Sequence, residues 1–345
     1  MRNSLVIIGL AFLCLSFVVA NENDLFNQPS YFPKPTYNFK NNPLDSNIIL
    51  LGRILFYDPY LSADHSISCA SCHSPYNAFA HTDHDLSHGI SDAIGNRNAP
   101  ALFNLAWQEK FMWDGAINHL DMQALAPISH TKEMGSSIDT IVKKLNESQS
   151  YKTFFHKAFR DSLATGAKVL KALSQFQLTL VSANAKYDKV VNGKDTFSTQ
   201  EKNGYQLFKS HCSSCHQEPL FSTYAFENNG LPIDTTLNDY GRWAITNHPN
   251  DSLKFKVPSL RNLSFTYPYM HDGRFTNLRE VILHYTNGIK KTNSLSHKLK
   301  ESIQLTANEK VDLIAFLLTL NDKEFVFDKK HQFKNNNIAS EGINN

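Results

Sequence analysis

Two five-residue motifs constrain this chain more than any other feature: Cys69-Ala70-Ser71-Cys72-His73 and Cys212-Ser213-Ser214-Cys215-His216. A C-x-x-C-H run is the attachment signature of c-type haem. The two thiols add to the two vinyl groups of one porphyrin, and the next residue presents an imidazole to the iron from one face. Two copies therefore predict two covalently bound haem c groups, with His73 and His216 as proximal iron ligands. Other uses of four cysteines fit less well. Two disulfides would not require a His after each pair. A zinc ribbon keeps its C-x-x-C pairs roughly 15–20 residues apart, whereas 139 residues lie between Cys72 and Cys212.

The fifth cysteine, Cys14, lies in an apolar run from Leu5 to Ala20 that follows Arg2 and precedes Asn21-Glu22-Asn23-Asp24. A basic start, an apolar middle and a small residue at the end read as a secretory signal peptide over residues 1–20, cleaved after Ala20. The run is short for a membrane span of about 20 residues, and no other stretch is long enough. The mature chain is thus expected to be periplasmic and free of the membrane, which agrees with haem attachment on the exported side. With 34 basic and 32 acidic residues the net charge is +2, a balance that gives no basis for a nucleic-acid partner.

One haem motif falls in each half. A helix is expected from Gly166 to Asn184, where Val169, Leu170, Leu173, Phe176 and Leu180 keep helical spacing. Asn192-Gly193 is a turn signal, and the domain boundary is placed there: 21–190 for an N-terminal haem domain and 191–345 for a C-terminal one. Ser198 and Glu201 form a capping box that opens a helix leading into the second motif. Residues 217–268 read as mostly irregular. Helices follow at Leu278–Thr286 and Thr306–Leu320, the latter opened by a Thr306–Glu309 capping box. No convincing run of alternating strands appears. The fold class is mainly α: two c-type cytochrome domains with long loops.

Several stretches take the reading further: Arg97-Asn98-Ala99-Pro100, Phe111-Met112-Trp113-Asp114-Gly115, Gln123 to Glu133, and Thr266-Tyr267-Pro268-Tyr269-Met270-His271-Asp272-Gly273. With the two haem motifs and their order, these make residues 45–325 resemble the bacterial di-haem cytochrome c peroxidases. The resemblance implies a periplasmic enzyme that reduces hydrogen peroxide to water with electrons from a small cytochrome c or a cupredoxin. It implies that the N-terminal haem is the peroxidatic one and the C-terminal haem receives and stores electrons. It makes Glu133 the catalytic acid–base, Gln123 a distal-pocket residue and Trp113 the aromatic ring between the haems. It places Asn98, Thr266 and Pro268 around an inter-haem calcium ion. Family members are often dimers, which offers a homodimer by analogy. The chemistry suits these assignments. A carboxylate can move a proton between the two peroxide oxygens, burial can tune a Glu toward the working pH, and calcium prefers carbonyl and amide oxygens.

The sequence departs from the family at two places. The family's distal His follows a Ser-x-Gly triplet; here Ser87-His88-Gly89 is followed by Ile90. His81, His84 and His88 lie nearby, read as a solvated loop, with His88 the best candidate should one of them reach the N-terminal haem iron. The family's axial Met stands fourteen residues after the His of the Pro-Tyr-x-His stretch; counting from His271 gives Tyr285, as in the methylamine dehydrogenase maturase branch. Leu278, Val281, Ile282 and Tyr285 share one helix face. Met270 is the competing ligand, since Met commonly partners His in cytochromes c. Three functions follow: a peroxidase, a maturase-like di-haem oxidase that modifies Trp or Tyr of a partner protein, and a non-enzymatic di-haem electron carrier.

Overall fold

A computed structural model of the chain describes residues 25–332. The proposed signal peptide and Cys14 lie outside the described residues. The architecture is mainly helical with long connecting loops; the β structure consists of two-residue strands, Phe226–Glu227 and Phe255–Lys256, paired antiparallel, together with isolated bridges. Among the described residues no helix is long and apolar enough to cross a membrane.

Each half is organised by one crossing pair of helices. In the first, Ser46–Tyr57 packs on Gly166–Leu178; in the second, Thr199–His211 packs on Ala307–Leu318. Both crossings are made at a glycine. A Cβ on Gly52 would sit 1.8 Å from the Ala172 carbonyl oxygen, and one on Gly204 would sit 1.9 Å from that of Asp312. Only a residue without a side chain lets the backbones approach this closely.

Local sequence explains where these helices start. Asp45 accepts from the amides of Asn47 and Ile48, Thr165 from that of Lys168, and the Ser198–Glu201 and Thr306–Glu309 capping boxes are both closed. The expected helix from Gly166 to Asn184 ends earlier, at Leu178. Beyond it, Asn104 takes over the backbone groups: its amide donates to the Leu180 carbonyl and its side chain bonds Ser182 at both ends, at 2.9 and 3.0 Å. Tertiary hydrogen bonds thus override local propensity.

Two apolar clusters result. The first runs from Phe32 to Leu180 and is joined by Leu220 and, near the end of the described chain, by Phe325 and Val326. The second runs from Tyr187 to Leu320 and centres on Phe208, Phe221 and Phe316. Between them, Arg261 is fully buried and forks onto Asp188 with bonds of 2.7 and 2.8 Å.

Candidate functional site

The two C-x-x-C-H motifs fold alike. In each, the amide of the His donates to the carbonyl of the first Cys, at 2.9 Å, closing one helical turn. In the second motif both thiols and the imidazole line one cavity; in the first, Cys72 and His73 do, while Cys69 packs against the apolar cluster of the first half. None of the four cysteines is joined in a disulfide. Burial pushes the Cys69 and Cys212 thiols up to about 12 and that of Cys72, which also feels Glu133, to about 11. With nothing bound, burial keeps these thiols neutral.

The imidazoles are set by backbone carbonyls that the sequence reading did not identify. His73 Nδ1 lies 2.9 Å from the Phe79 oxygen. His216 Nδ1 lies 3.2 Å from the Phe221 oxygen and 3.2 Å from that of Pro258. Phe79 and Phe221 both have positive φ, 59° and 54°, which turns each carbonyl back toward its His. A ligating His commonly engages its other ring nitrogen in this way, which fixes the tautomer and leaves Nε2 for the iron. Burial lowers both imidazoles to about 4, so they are neutral and able to ligate. The visible signal was modest: a Pro followed by a Phe shortly after each motif, Pro75 with Phe79 and Pro219 with Phe221.

One cavity is lined by Cys72 and His73 and by Cys212, Cys215 and His216. Neutral imidazoles with an oriented far nitrogen, unpaired thiols and apolar walls (Leu102, Leu260, Leu263 and Leu313 among them) fit flat, apolar haem groups. Most residues expected at the site lie on the same cavity: Asn98, Trp113, Gln123, Glu133, Thr266, Pro268, Met270 and Tyr285.

Glu133 sits in the turn after the helix Leu125–Ser129. Burial raises its carboxyl above the usual range, against the opposing pull of His130, whose Nδ1 is 3.6 Å from Oε1. Gln123 ends the helix Leu120–Gln123 and points its amide at the Met112 sulfur, 3.7 Å away. The Trp113 indole donates to the Asn98 carbonyl at 2.8 Å, while the Trp113 carbonyl accepts from the Lys256 amide at 2.7 Å. Trp113 therefore ties a strand of the second half to a loop of the first. Asn98 is itself buried, takes a bond from its own amide to the His271 carbonyl at 2.7 Å, and donates its side-chain amide to Asp85 O at 3.0 Å. Its Oδ1 accepts no hydrogen bond from the described residues.

His88 is not among the residues lining the cavity, although its carbonyl accepts from the Cys72 thiol at 3.3 Å. Its ring stacks on His84 with centroids 4.1 Å apart, and Nδ1 meets Asp92 at 2.9 Å. The His81 ring lies 5.6 Å from His84, and its Nε2 is buried without a partner. Among the described residues no group of three or more His, Cys, Asp or Glu is arranged to hold a metal ion.

At the second motif the expected helix from Leu278 to Thr286 divides. It is α-helical over Leu278–Leu283 and widens into a π-helical turn over His284–Gly288. Such turns recur at functional sites. Leu278, Val281, Ile282 and Tyr285 all face the cavity, as their shared stripe implies. Burial pushes the Tyr285 phenol up to about 12; Asn229 and the thiols of Cys212 and Cys215 are its neighbours. Met270 takes a left-handed φ of 75° in the turn closed by Gly273, and its sulfur lies 3.4 Å from Asn229 Nδ2. Tyr285 and Met270 thus approach the same region, joined through Asn229.

The di-haem cytochrome c peroxidase family model matches residues 46–196, and a cytochrome c model matches residues 201–321. The chain is 37% identical over 307 residues to the methylamine utilization protein MauG of Methylorubrum extorquens, covering 86% of this chain and 83% of that one. It is 33% identical over 288 residues to cytochrome c551 peroxidase of Nitrosomonas europaea, covering 81% of each. Among solved structures, a MauG-like protein associated with microbial copper homeostasis superposes with a TM-score of 0.78 at 31% identity, covering 89% of this chain and 98% of that one.

Proposed function

The chain belongs to the di-haem cytochrome c peroxidase family, and from that premise we propose that it reduces hydrogen peroxide to water at a haem held by His73, drawing electrons from a small cytochrome c or cupredoxin through a haem held by His216. The observation that carries this reading is a cavity lined by residues of both haem motifs, with a desolvated carboxyl, Glu133, beside the first. We take the haems as covalently attached through Cys69 and Cys72 and through Cys212 and Cys215, the division between haem domains as near residue 190, and the protein as periplasmic.

When bound, the haems supply the iron at which the peroxide O–O bond is cleaved and the electrons that cleave it. The protein's part is placement and proton movement. Glu133 takes the proton from one peroxide oxygen and returns it to the other, so that the departing oxygen leaves as water. A carboxyl raised by burial holds a proton more readily than an exposed one, which suits it to both halves of the exchange. Gln123 orients peroxide through its amide. Trp113 lies on the way between the halves and passes the electron. A carrier needs no such proton shuttle, which disfavours the non-enzymatic reading. Steady-state turnover of peroxide with several reduced donors tests the proposal; a holoprotein that oxidises none of them in the presence of peroxide would remove it.

A calcium ion between the haems is the second element of the proposal. Asn98 comes from the first half, Thr266 and Pro268 from the second, and all three line the cavity. The free Asn98 Oδ1 and two backbone carbonyls are oxygen donors of the kind calcium takes. An ion held by both halves would fix their spacing, so chelation is expected to lower peroxide turnover and added calcium to restore it. Full turnover in thoroughly calcium-depleted protein would count against the ion.

Tyr285 would be the second protein ligand holding the iron of the C-terminal haem, with Met270 as the competitor. A phenolate favours ferric iron, so this haem would have a lower potential than a His/Met haem. That property supports the maturase-like alternative, in which a protein Trp or Tyr is oxidised. The near-infrared and resonance Raman spectra of ferric wild type, Tyr285→Phe and Met270→Leu decide it. Phenolate bands lost only in Tyr285→Phe are expected. A thioether-to-iron band lost only in Met270→Leu would return the protein to the His/Met peroxidases. No role is assigned to His88, whose ring is engaged with His84 and Asp92.

A further inference from the structure

Among the described residues four Lys or Arg side chains line the cavity: Arg97, Lys256, Arg261 and Lys298. Three of them hold carboxylates. Arg97 meets Asp114 and Asp239, each at 2.6 Å, Arg261 meets Asp188 at 2.7 Å, and Lys298 meets Glu227 at 2.8 Å. Lys256 does not. Its Nζ donates to the Gln108 side-chain oxygen at 2.7 Å and to the Lys110 carbonyl at 2.9 Å, and lies 5.8 Å from the centre of the Phe111 ring. All three partners are neutral. The carboxylate it feels most, Asp114, is already bonded to Arg97.

A cation desolvated among neutral partners is costly unless an anion joins it. Here burial pushes the ammonium down to about 7. Among the described residues the acidic side chains on the cavity wall are Glu133, which faces His130, and Glu227, which is bonded to Lys298. A group bound in the cavity could supply that anion. Each haem brings two propionate carboxylates, and Nζ, held by the Gln108 and Lys110 oxygens, keeps its third donor for one of them.

We propose that Lys256 is the counter-ion of a haem propionate at the boundary between the two halves. This inference rests on the di-haem reading. Lys256 sits where such a charge matters. It lies in the two-residue strand Phe255–Lys256, its amide donates to the Trp113 carbonyl, and the same segment continues to Pro258, whose carbonyl meets His216 Nδ1. It acts as a positioning residue: it holds the propionate, and its positive charge favours the ferrous state of the haem that carries it.

The test uses the holoprotein with Lys256→Met, Lys256→Gln and Lys256→Arg, after a pyridine haemochrome count on each. Both reduction potentials are read by spectroelectrochemical titration, and the propionate bending bands by resonance Raman. In Lys256→Met one haem's reduction equilibrium is expected to fall roughly tenfold, about 59 mV for a one-electron couple, with a shifted propionate band. Lys256→Gln should move the same haem in the same direction, and serves where the Met variant fails to load haem. Lys256→Arg should stay near wild type. Which haem carries the propionate is read from which potential moves. Neutral variants that hold two haems with unmoved potentials and propionate bands would overturn the assignment. Wild-type protein lacking two haems would instead overturn the di-haem reading beneath it.

Discussion

Glu133→Gln is expected to keep both haems and to slow reaction with peroxide by roughly 10²–10⁴-fold, the usual contribution of a general acid–base group. The substitution preserves the shape of the side chain and its reach into the cavity while removing the group that takes and returns a proton. The neighbours argue that it will not act by unfolding the site. The turn carrying Glu133 is held by backbone bonds, from the Glu133 amide to the His130 carbonyl at 3.0 Å and from the Ile90 amide to the Glu133 carbonyl at 2.8 Å. Neither involves the carboxyl. Stopped-flow mixing with peroxide is the measurement. A variant as fast as wild type, with unchanged haem spectra, would exclude Glu133 as the shuttle.

Asp188→Ala is expected to destabilise the holoprotein by roughly 3–5 kcal/mol, because it strips the partner from a fully buried guanidinium. Arg261 is enclosed by the rings of Phe32, Phe221 and Tyr187, 5.1 to 6.0 Å away, and donates to the Pro219 carbonyl as well as to Asp188. Pro219 and Phe221 belong to the loop that turns a carbonyl onto His216 Nδ1. The strain should therefore appear first at the second haem, as a change in its ferric spectrum at temperatures where the first is unaltered. Replacing both partners, as Asp188→Leu with Arg261→Met, should cost less than the single change, since no unpaired charge remains. Unfolding midpoints of the single and double variants decide it; a single variant as stable as wild type would show that the pair is dispensable.

What the sequence made legible was whatever is governed by local rules. The haem motifs could be read because attachment chemistry dictates their spacing. The helices opened by Ser198 and Thr306 could be read because a capping box is complete within four residues. The Leu278, Val281, Ile282, Tyr285 stripe could be read because one helix face repeats at fixed intervals. The remainder depends on contacts between distant segments. The helix after Gly166 stops at Leu178 because Asn104 captures Leu180 and Ser182, and nothing near Leu178 announces it. The π-helical turn at His284–Gly288 has no sequence periodicity of its own. Phe79 and Phe221 act through backbone carbonyls, so their side chains gave no sign of the role. Lys256 would ordinarily be read as a surface lysine, and Asp188 as part of a turn; only the fold reveals one facing the cavity and the other clasped by Arg261.

The central claim is that two haems around one cavity deliver two electrons to one peroxide. It is tested most directly by reducing the holoprotein fully, removing excess reductant and oxygen, and titrating with hydrogen peroxide while both haem spectra are followed. Reduction of one peroxide to two waters consumes two electrons and two protons, so one equivalent per chain should reoxidise both haems to the ferric state. Haems that stay ferrous after several equivalents, or a chain in which only one haem responds however much peroxide is added, would contradict the account.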